Sequence, residues 1–520
     1  MKDYAETIGF LGQWGRFQQI VFFSLVATIM PNGFGAFTLV FLTDTPSHHC
    51  LVSGINLTED WRKSVIPIRV SDCESPNSVK QCSRYRLDVV RNLSAQGYIP
   101  GMDVNLTDLE EEGCVDGWSY SKDIYESTIV SEFDLVCSNQ WKQPLTSTVF
   151  FVGVLLGSFF SGQLSDRYGR KPVLFAALAL QTVFTFAQVF SGSWIMFLII
   201  LFINGLGQMS NFVAALVLGS EVLTGKVRVL YSSLGTCLGF AIGYMILPLL
   251  AYFLRDWKSL SLALSLPCVA YIPFWWLMPE SPRWLLSQGR VEEAEAIIRT
   301  AAKWNKVQAP RIIFEDCGEH YNVFDLLRQS SIRATTLILC FVFTMIVGYY
   351  SLSFNTAQLH ENPYISCFIS AVVEIPAYIS SWLALLYLPR RLSVILTLVF
   401  GAVPLYLIQL VPDDLSNLSL VLEMLGKYSI TTGSSLMFAY TAELYPTVLR
   451  NTATGISNTV SRIGSCIAPL LLSLGMYYKY LPHIILGTLA VVAAFAALFL
   501  PESFKKPLPE TIEQMHRRER

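Results

Sequence analysis

Two stretches of this sequence repeat in one register. Glu221 and Arg228 recur as Glu443 and Arg450, and Pro279-Glu280-Ser281 recurs as Pro501-Glu502-Ser503. The offsets 443 − 221, 450 − 228 and 501 − 279 are all 222. Each half runs in the same order: a long apolar run, Glu-x6-Arg, two apolar runs, Pro-Glu-Ser. A chain that holds one apolar bundle twice places two similar bundles together, and such halves can rock about a site held between them. Hydrophobic residues make up 52% and charged residues 15%, with a mean hydropathy of +0.45. Soluble domains carry roughly a quarter charged residues. A net charge of -2 gives no sign of a nucleic-acid binder.

A hydrocarbon core of about 30 Å calls for about 20 apolar residues as helix. Runs of that kind fall at 17–42, 145–164, 172–191, 194–219, 229–252, 259–278, 334–354, 364–387, 392–411, 417–441, 452–475 and 482–500. They predict an all-α membrane protein of twelve spans in two pseudo-symmetric six-helix bundles. Asp3 and Glu6 precede the first run without a small-residue cleavage site, so that run reads as an uncleaved anchor. Short loops on one face carry Arg167, Arg170, Lys171, Lys226, Arg228, Arg390, Arg391 and Arg450; those on the other carry Arg255, Lys258 and Lys479. The richer face is expected to be cytoplasmic, with both termini on that side. The expected division is a first bundle at 1–278 that includes an extracellular domain at 43–143, a linker at 279–332, a second bundle at 333–500 and a tail at 501–520.

The 43–143 loop holds Cys50, Cys73, Cys82, Cys114 and Cys137, five of the eleven cysteines, with glycosylation sequons at Asn56, Asn92 and Asn105. Together they predict a glycosylated, disulfide-held extracellular domain with at least one thiol left over. A fourth sequon, Asn417, sits at a membrane edge. In the linker, the stretch from Val291 to Lys303 reads as an amphipathic surface helix. It is either a tether between the halves or a docking site for a cytoplasmic partner.

Gly162-Gln-Leu-Ser-Asp166-Arg-Tyr-Gly169-Arg170-Lys171 links the second and third spans, and Gly169 supplies a tight turn. The matching place in the second half holds only Pro389-Arg390-Arg391. Positive-inside charge accounts for the arginines but not for Asp166, Glu221 and Glu443 at matched places. A phosphate loop is excluded at Gly219-Ser-Glu-Val-Leu-Thr-Gly225-Lys226-Val227. Five residues separate the glycines where four are needed, and valine follows the lysine. No ATP is expected.

Polar groups at bilayer depth are costly and usually face a cavity. Asn204, Gln208 and Asn211 share one face of the fourth span, with Phe212 beside them. Asn451, Thr454, Asn458, Arg462 and Ser465 share one face of the eleventh. Two such faces from opposite halves would line one cavity. Arg462 lies near the midplane and requires a partner. That partner is either a substrate carboxylate, bound bidentately by the planar guanidinium, or a fixed structural partner, Glu443 or Glu374. Glu374 lies mid-span beside Pro376 and is itself a candidate for the cavity. Phe212, Phe240, Tyr349 and Tyr440 sit on spans with polar neighbours. Aromatic walls bind desolvated quaternary ammonium groups, and they also serve as plain packing. An arginine beside aromatic walls suggests a zwitterion, one end for each.

The Asp166 loop resembles that of the major facilitator superfamily. The Glu-x6-Arg repeats and Pro279-Glu-Ser-Pro-Arg-Trp284 resemble its sugar-porter and organic-ion branches. Ile29-Met-Pro-Asn-Gly-Phe34, Asp116-Gly-Trp118, Phe151-Val-Gly-Val-Leu-Leu-Gly-Ser-Phe159, Gly243-Tyr-Met-Ile-Leu-Pro248, Glu374-Ile-Pro-Ala-Tyr378 and Tyr440-Thr-Ala-Glu-Leu-Tyr-Pro-Thr447 extend the likeness over essentially the whole chain. The chain is similar to the organic-ion transporter family, carnitine and zwitterion branch. The resemblance implies charge pairs at Asp166, Arg170, Glu221, Arg228 and Arg450 that close an inner gate. It implies Arg462 as the carboxylate ligand, and a sodium site with Asn32 and Glu443, to which Tyr440 is added. Glu443 is thus claimed by both gate and sodium site. The disulfides implied are Cys50–Cys114 and Cys82–Cys137, with Cys73 left over. The chain departs from carnitine carriers at Phe212 and Phe240, where they tend to have tyrosine, and at Asn355, where they tend to have aspartate.

The expected function is plasma-membrane transport of zwitterionic or cationic quaternary amines (carnitine-, ergothioneine- or betaine-like), with sodium as the candidate coupling ion. The substrate-binding set is Arg462, Phe212, Asn211, Gln208, Phe240, Tyr349, Asn458 and Glu374. The alternatives are a sodium-independent carrier or exchanger of organic cations or anions, and a receptor or adhesion protein that uses the extracellular domain. No metal-ligand spacing or nucleophile–base pair points to an enzyme or to a resident cofactor.

Overall fold

The computed structural model describes residues 4–52, 56–67, 80–313, 330–342, 345–359, 362–445 and 447–502. Contacts divide the chain into two units. One comprises 1–40, 144–254 and 258–520; the other comprises 41–143 with 255–257.

The larger unit is helical. In the first half, α1 runs Arg16–Leu42, α2 Lys142–Tyr168, α3 Arg170–Gln188, α4 Trp194–Val222, α5 Gly225–Phe253 and α6 Trp257–Leu277. Two shorter helices follow, α7 (Pro282–Ser287) and α8 (Val291–Trp304). In the second half, α9 runs Ser330–Val342, α10 Ile346–Leu359, α11 Pro363–Tyr387, α12 Arg390–Leu410, α13 Ser416–Leu444, α14 Thr447–Ser473 and α15 Leu481–Ala497. Among the described residues, seven helices are long and apolar enough to cross a membrane: α1, α2, α4, α5, α6, α11 and α12. The expected spans at α3, α9–α10, α13, α14 and α15 fall outside that set. Glu423 and Lys427 interrupt α13, and Arg450, Asn458 and Arg462 interrupt α14. The groups that lower their hydropathy include those the functional site uses.

Close helix contact rests on missing side chains. A Cβ on Gly33 of α1 would lie 2.1 Å from the Phe240 carbonyl oxygen of α5, and one on Gly243 of α5 would lie 2.1 Å from that of Met30. Small residues let membrane helices approach backbone to backbone. Pro31 has no N–H, which deprives the Ala27 carbonyl of its helical partner. The Tyr271 hydroxyl donates to that oxygen at 2.6 Å. The linker helix α8 buries Ala294, Ile298, Ala301 and Ala302. Beyond its end, Asn305 Nδ2 donates to the Leu11 carbonyl at 3.2 Å, and Asn305 Oδ1 accepts from the Phe17 N–H at 2.9 Å. Its buried face is therefore covered by the chain's own N-terminal segment.

The smaller unit has two antiparallel ladders: β1 (His48–Cys50) with β4 (Trp118–Tyr120), and β2 (Ser83–Tyr85) with β3 (Glu111–Gly113). Its core is small, built from Leu57, Trp61, Val65, Tyr85, Leu87 and Val90. A core of that size needs covalent support. Disulfides join Cys50 to Cys114 and Cys82 to Cys137, the pairing that the resemblance implies. Cys73 lies outside the described residues. Asn56, Asn92 and Asn105 are all exposed.

Candidate functional site

The two halves repeat one charge cluster. In the first half, Gly169 turns the chain at φ 102° and Arg170 opens α3. The Arg170 guanidinium donates to both oxygens of Glu221, at 3.0 and 3.2 Å. It also donates to the Ser165 carbonyl at 2.8 Å and to Asp166 Oδ1 at 2.9 Å. Glu280 Oε1 accepts the backbone N–H of Arg170 at 3.0 Å and that of Lys171 at 3.4 Å. In the second half, Arg390 opens α12 and donates to both oxygens of Glu443, at 3.1 and 3.2 Å. Glu502 accepts the backbone N–H groups of Arg390 and Arg391 at 2.9 and 3.2 Å. In both places a carboxylate caps a helix N-terminus, where unpaired N–H groups and the helix dipole favour negative charge. Burial pushes the Glu280 carboxyl above its ordinary 4.5, while backbone N–H groups pull the other way.

The structure adds Arg390 to the expected gate set. Arg390 is the counterpart of Arg170 although 390 − 170 is 220, not 222. Asp166, near the end of α2, pairs with Arg170 at the start of α3, with its side chain 74% exposed. Glu443 pairs with Arg390 within the second charge cluster. Arg228 is half-buried, and the Arg450 side chain lies outside the described residues.

The polar face of α4 turns toward its own half, not toward α14 as expected. Asn204 Nδ2 donates to the Thr185 hydroxyl at 3.2 Å, Gln208 Nε2 to the Asn32 carbonyl at 3.2 Å, and Asn211 Nδ2 to the Thr28 carbonyl at 3.2 Å. These bonds fasten α4 to α3 and α1. The amide oxygens of Gln208 and Asn211 and both amide atoms of Asn32 are buried without a partner among the described residues. Gln181 Oε1 is likewise unpartnered, and Gln181 Nε2 reaches the Pro31 carbonyl at 3.5 Å. Buried polar groups are normally satisfied, so this cluster of amides calls for an explanation. The sodium grouping of Asn32 with Glu443 and Tyr440 is not brought together. The Tyr440 hydroxyl donates to the Pro501 carbonyl, beside the Arg390–Glu443 pair, and both side-chain amide atoms of Asn32 are without a partner among the described residues.

Arg462 of α14 meets both halves. Its Nη1 donates to the Tyr350 hydroxyl of α10 at 2.7 Å, and its guanidinium lies 6.0 Å from the centre of the Phe212 ring of α4. Its Nε has no partner among the described residues. The structural partners weighed for it are taken. Glu443 is held by Arg390, and Glu374 by Lys427 at 3.4 Å, a pair with both side chains fully buried. Asn458 is buried at 7% exposure. Ser461 and Ser465 turn their hydroxyls back onto the carbonyls of Asn458 and Arg462. Asn451 and Thr454 lie outside the described side chains.

Around Glu374 the halves interlock. Tyr349 donates its hydroxyl to Glu374. Lys427 Nζ donates to the carbonyl of Ser370 at 3.1 Å and also to its hydroxyl; that hydroxyl accepts from Tyr244 of α5 at 3.0 Å. The ammonium lies 4.7 Å from the centre of the Tyr244 ring and 5.5 Å from that of Tyr349. Two aromatic rings and a carboxylate together suit a cation, and here Lys427 is that cation. Phe37, fully buried, stacks on Tyr244 at 4.3 Å and meets Phe240, Tyr349, Tyr350 and Phe354 within 6.1 Å. Phe151 of α2 closes on Tyr350 at 5.2 Å and on Phe354 at 5.6 Å.

Sequence reasoning named Phe212, Phe240 and Tyr349 but missed Phe37, Phe151, Tyr244, Tyr350 and Lys427. Lys427 carried a usable signal, a lone lysine inside an apolar run. The aromatics carried none, because one phenylalanine in a membrane helix looks like another until its neighbours are known.

Residues 73–515 match the family described as sugar (and other) transporter. The human organic cation/carnitine transporter 2 is 50% identical over 529 residues, covering 99% of this chain and 94% of its own length. Mouse solute carrier family 22 member 4 is also 50% identical over 529 residues, covering 99% and 95%. Among solved structures, the major facilitator superfamily proton:xylose symporter XylE bound to 6-bromo-6-deoxy-D-glucose superposes with a TM-score of 0.60 at 14% identity. That match covers 96% of this chain and 98% of XylE; at such identity it speaks for the fold alone. The chain therefore belongs to the sugar (and other) transporter family with the major facilitator fold, and within it to the organic-ion branch that holds the organic cation/carnitine transporters.

Proposed function

We propose that this protein carries zwitterionic or cationic quaternary amines of the carnitine type across the plasma membrane by alternating access. Twelve spans form two six-helix bundles, with both termini cytoplasmic and the 43–143 domain outside. Arg462 takes the substrate carboxylate, and the aromatic rings around Phe37, Tyr244 and Tyr349 take the ammonium end. The Arg170–Glu221–Glu280 and Arg390–Glu443–Glu502 clusters brace the cytoplasmic ends of the two bundles.

One observation carries this reading. Among the described residues Arg462 donates a hydrogen bond only to a tyrosine hydroxyl, and the two carboxylates weighed as its partners are paired with other cations. A guanidinium inside a membrane bundle costs about 2.5–3.5 kcal/mol or more. An anionic group on the substrate supplies the missing partner.

For sodium, the buried amides of Asn32, Gln181, Gln208 and Asn211 fit better than Glu443 and Tyr440. Their unpartnered oxygens are hard, neutral donors of the kind that alkali and alkaline-earth cations select. Sodium bound there would couple its gradient to uptake.

The test is uptake of labelled carnitine, ergothioneine, a tetraalkylammonium and an organic anion by cells expressing the full chain, with and without sodium. We expect the carboxylated amines to be transported. Arg462→Asp should abolish their uptake while sparing the tetraalkylammonium, with surface abundance measured alongside. Failure of every carboxylated amine would sink the zwitterion reading. Normal uptake by a surface-exposed Arg462→Asp variant would make the arginine structural. Asn32→Ala or Gln208→Ala should remove any sodium stimulation; Tyr440→Phe should not.

A further inference from the structure

Lys427 of α13 stands where the proposed carrier would hold the ammonium end of its substrate. Its side chain is 0% exposed, and so is that of Glu374, 3.4 Å away. Its Nζ lies 4.7 Å from the centre of the Tyr244 ring and 5.5 Å from that of Tyr349, and it donates to the Ser370 carbonyl at 3.1 Å. Tyr244 belongs to the first half and Tyr349 to the second, so this ammonium sits where the halves meet. Two aromatic faces and a carboxylate are the elements that hold a desolvated quaternary ammonium. The chain's own lysine fills that place.

The other end of the site is close by. Tyr349 and Tyr350 are consecutive on α10, with ring centres 5.1 Å apart. Tyr349 faces Lys427, and the Tyr350 hydroxyl accepts from Arg462 Nη1 at 2.7 Å. Phe37 spans the two, stacked on Tyr244 at 4.3 Å and with its centre 5.9 Å from that of Tyr350. A short zwitterion with its carboxylate on Arg462 therefore carries its ammonium to rings that a primary ammonium already occupies. A second cation brought beside the first in a low-dielectric interior is strongly repelled.

Lys427 has a second place to go. Glu423 precedes it by four residues (427 − 423) on α13, one helical turn, and is 0% exposed. Residues four apart are neighbours on a helix surface, and glutamate N-terminal to lysine is the favourable order. Glu423 has no lysine or arginine ion pair among the described residues. Asn355 Nδ2 donates to it at 3.2 and 3.4 Å, and His483 Nε2 is 3.7 Å away, beyond hydrogen bonding. A buried carboxylate without a committed cation is costly. Rotation of the flexible four-carbon lysine stem would carry the ammonium from Glu374 to Glu423.

We infer that Lys427 is a resident cation that the substrate's ammonium displaces from Glu374 and the two rings, and that Glu423 receives it. The displacement sets specificity, because it opposes every ammonium substrate. A zwitterion offsets it through Arg462; an amine without a carboxylate does not. The inference rests on the transport reading above and deepens it by naming the group that opposes simple cations.

The experiment compares carnitine with β-methylcholine, which is carnitine without its carboxylate, and with β-hydroxybutyrate, which keeps the carboxylate and lacks the ammonium. Cells expressing the full chain give KM for the two amines and KI for β-hydroxybutyrate against carnitine uptake, with surface abundance measured alongside. Lys427→Met should lower both KM values by a similar factor, on the order of tenfold, and leave the KI unchanged. Glu423→Gln should raise both KM values, because the displaced lysine loses its destination. It should do nothing in the Lys427→Met background, and that non-additivity marks a residue acting through the lysine. Unmoved or raised KM values in Lys427→Met, a KI that falls with them, or an equal effect of Glu423→Gln in both backgrounds overturns the inference. If Lys427→Met fails to reach the surface, Lys427→Met with Glu374→Gln, which keeps the buried charge balanced, replaces it as the background, and an effect of Glu423→Gln there again overturns the inference. If the wild type transports neither amine, the transport reading fails. Stabilisation of the purified full-length protein by β-methylcholine in a thermal melt, expected to be larger for Lys427→Met than for the wild type, then decides the displacement by itself, and equal shifts reject it.

Discussion

The charge cluster of the first half and that of the second use one plan at two depths. Both place an arginine at a helix start against a bidentate glutamate, with a second glutamate on the backbone N–H groups of that start. The first is more deeply built. The Arg170 and Glu221 side chains are each 10% exposed, whereas Arg390 and Glu443 are 13% and 26% exposed. Glu221 also receives the hydroxyl of fully buried Ser281, and Trp284 Nε1 donates to the Asp166 carbonyl at 2.9 Å. Four residues before Arg390 stands Leu386, so the second cluster has no counterpart of Asp166. Repetition thus conserved the geometry of the pair, while burial around it diverged, and burial decides what each pair is worth.

The largest difference should come from the arginines. Arg170→Ala leaves Glu221 buried and unpaired, which typically costs about 3–5 kcal/mol; Arg390→Ala leaves a wetter glutamate and should cost about half as much. Thermal unfolding of the purified variants, with surface abundance in cells, measures both. Equal losses would break the asymmetry. Exchange of the charges, Arg170→Glu with Glu221→Arg, should recover part of the loss if the pair acts as a unit.

The capping glutamates come next. Glu280→Ala and Glu502→Ala should each cost roughly 1–2 kcal/mol, the value of a partly buried carboxylate at a helix N-terminus. The pH dependence has a definite sign. Since the folded-state value of Glu280 lies above the ordinary 4.5, its stabilising contribution is fully present below that pH and is lost as pH rises through the raised value. Glu280→Gln should remove that component. The wild-type melting temperature relative to Glu280→Gln should therefore decline from mildly acidic toward neutral pH; a rise would show that the N–H bonds outweigh burial.

The smallest effect belongs to Asp166. Its exposed bond to Arg170 should be worth at most about 1 kcal/mol, so Asp166→Asn should leave stability nearly unchanged. Leu386→Asp supplies the missing acid beside Arg390 and should add no more than that. If Asp166→Asn cripples uptake at normal stability and abundance, Asp166 acts in the moving state and not in the one described here.

Much of the site was open to reading from the sequence, and its failures share one cause. The repeat picked out Glu221, Glu443, Glu280 and Glu502 because identical residues at one offset are a sequence property. It missed Arg390 as the partner, because the loop before it is two residues out of register. Arg462 stood out as a charge inside an apolar run. Lys427, Glu423 and His483 were equally visible, but without coordinates nothing linked His483 to a carboxylate 60 positions away (483 − 423). The α4 stripe was correctly seen as one face and wrongly aimed. Periodicity says which residues share a side, not which neighbour that side meets.

By itself the sequence determined the helical, apolar fold class and the residues that could not be ordinary packing. Apolar length and charge scarcity follow from the cost of exposing polar groups to lipid, and that cost acts on each segment separately. Only the tertiary structure decided how the charges pair: Arg170 with Glu221, Arg390 with Glu443, Lys427 with Glu374, and Arg462 with no carboxylate among the described residues. In a low-dielectric interior the value of a charge depends on what lies within a few ångströms of it, and that is set by which helices the fold brings together.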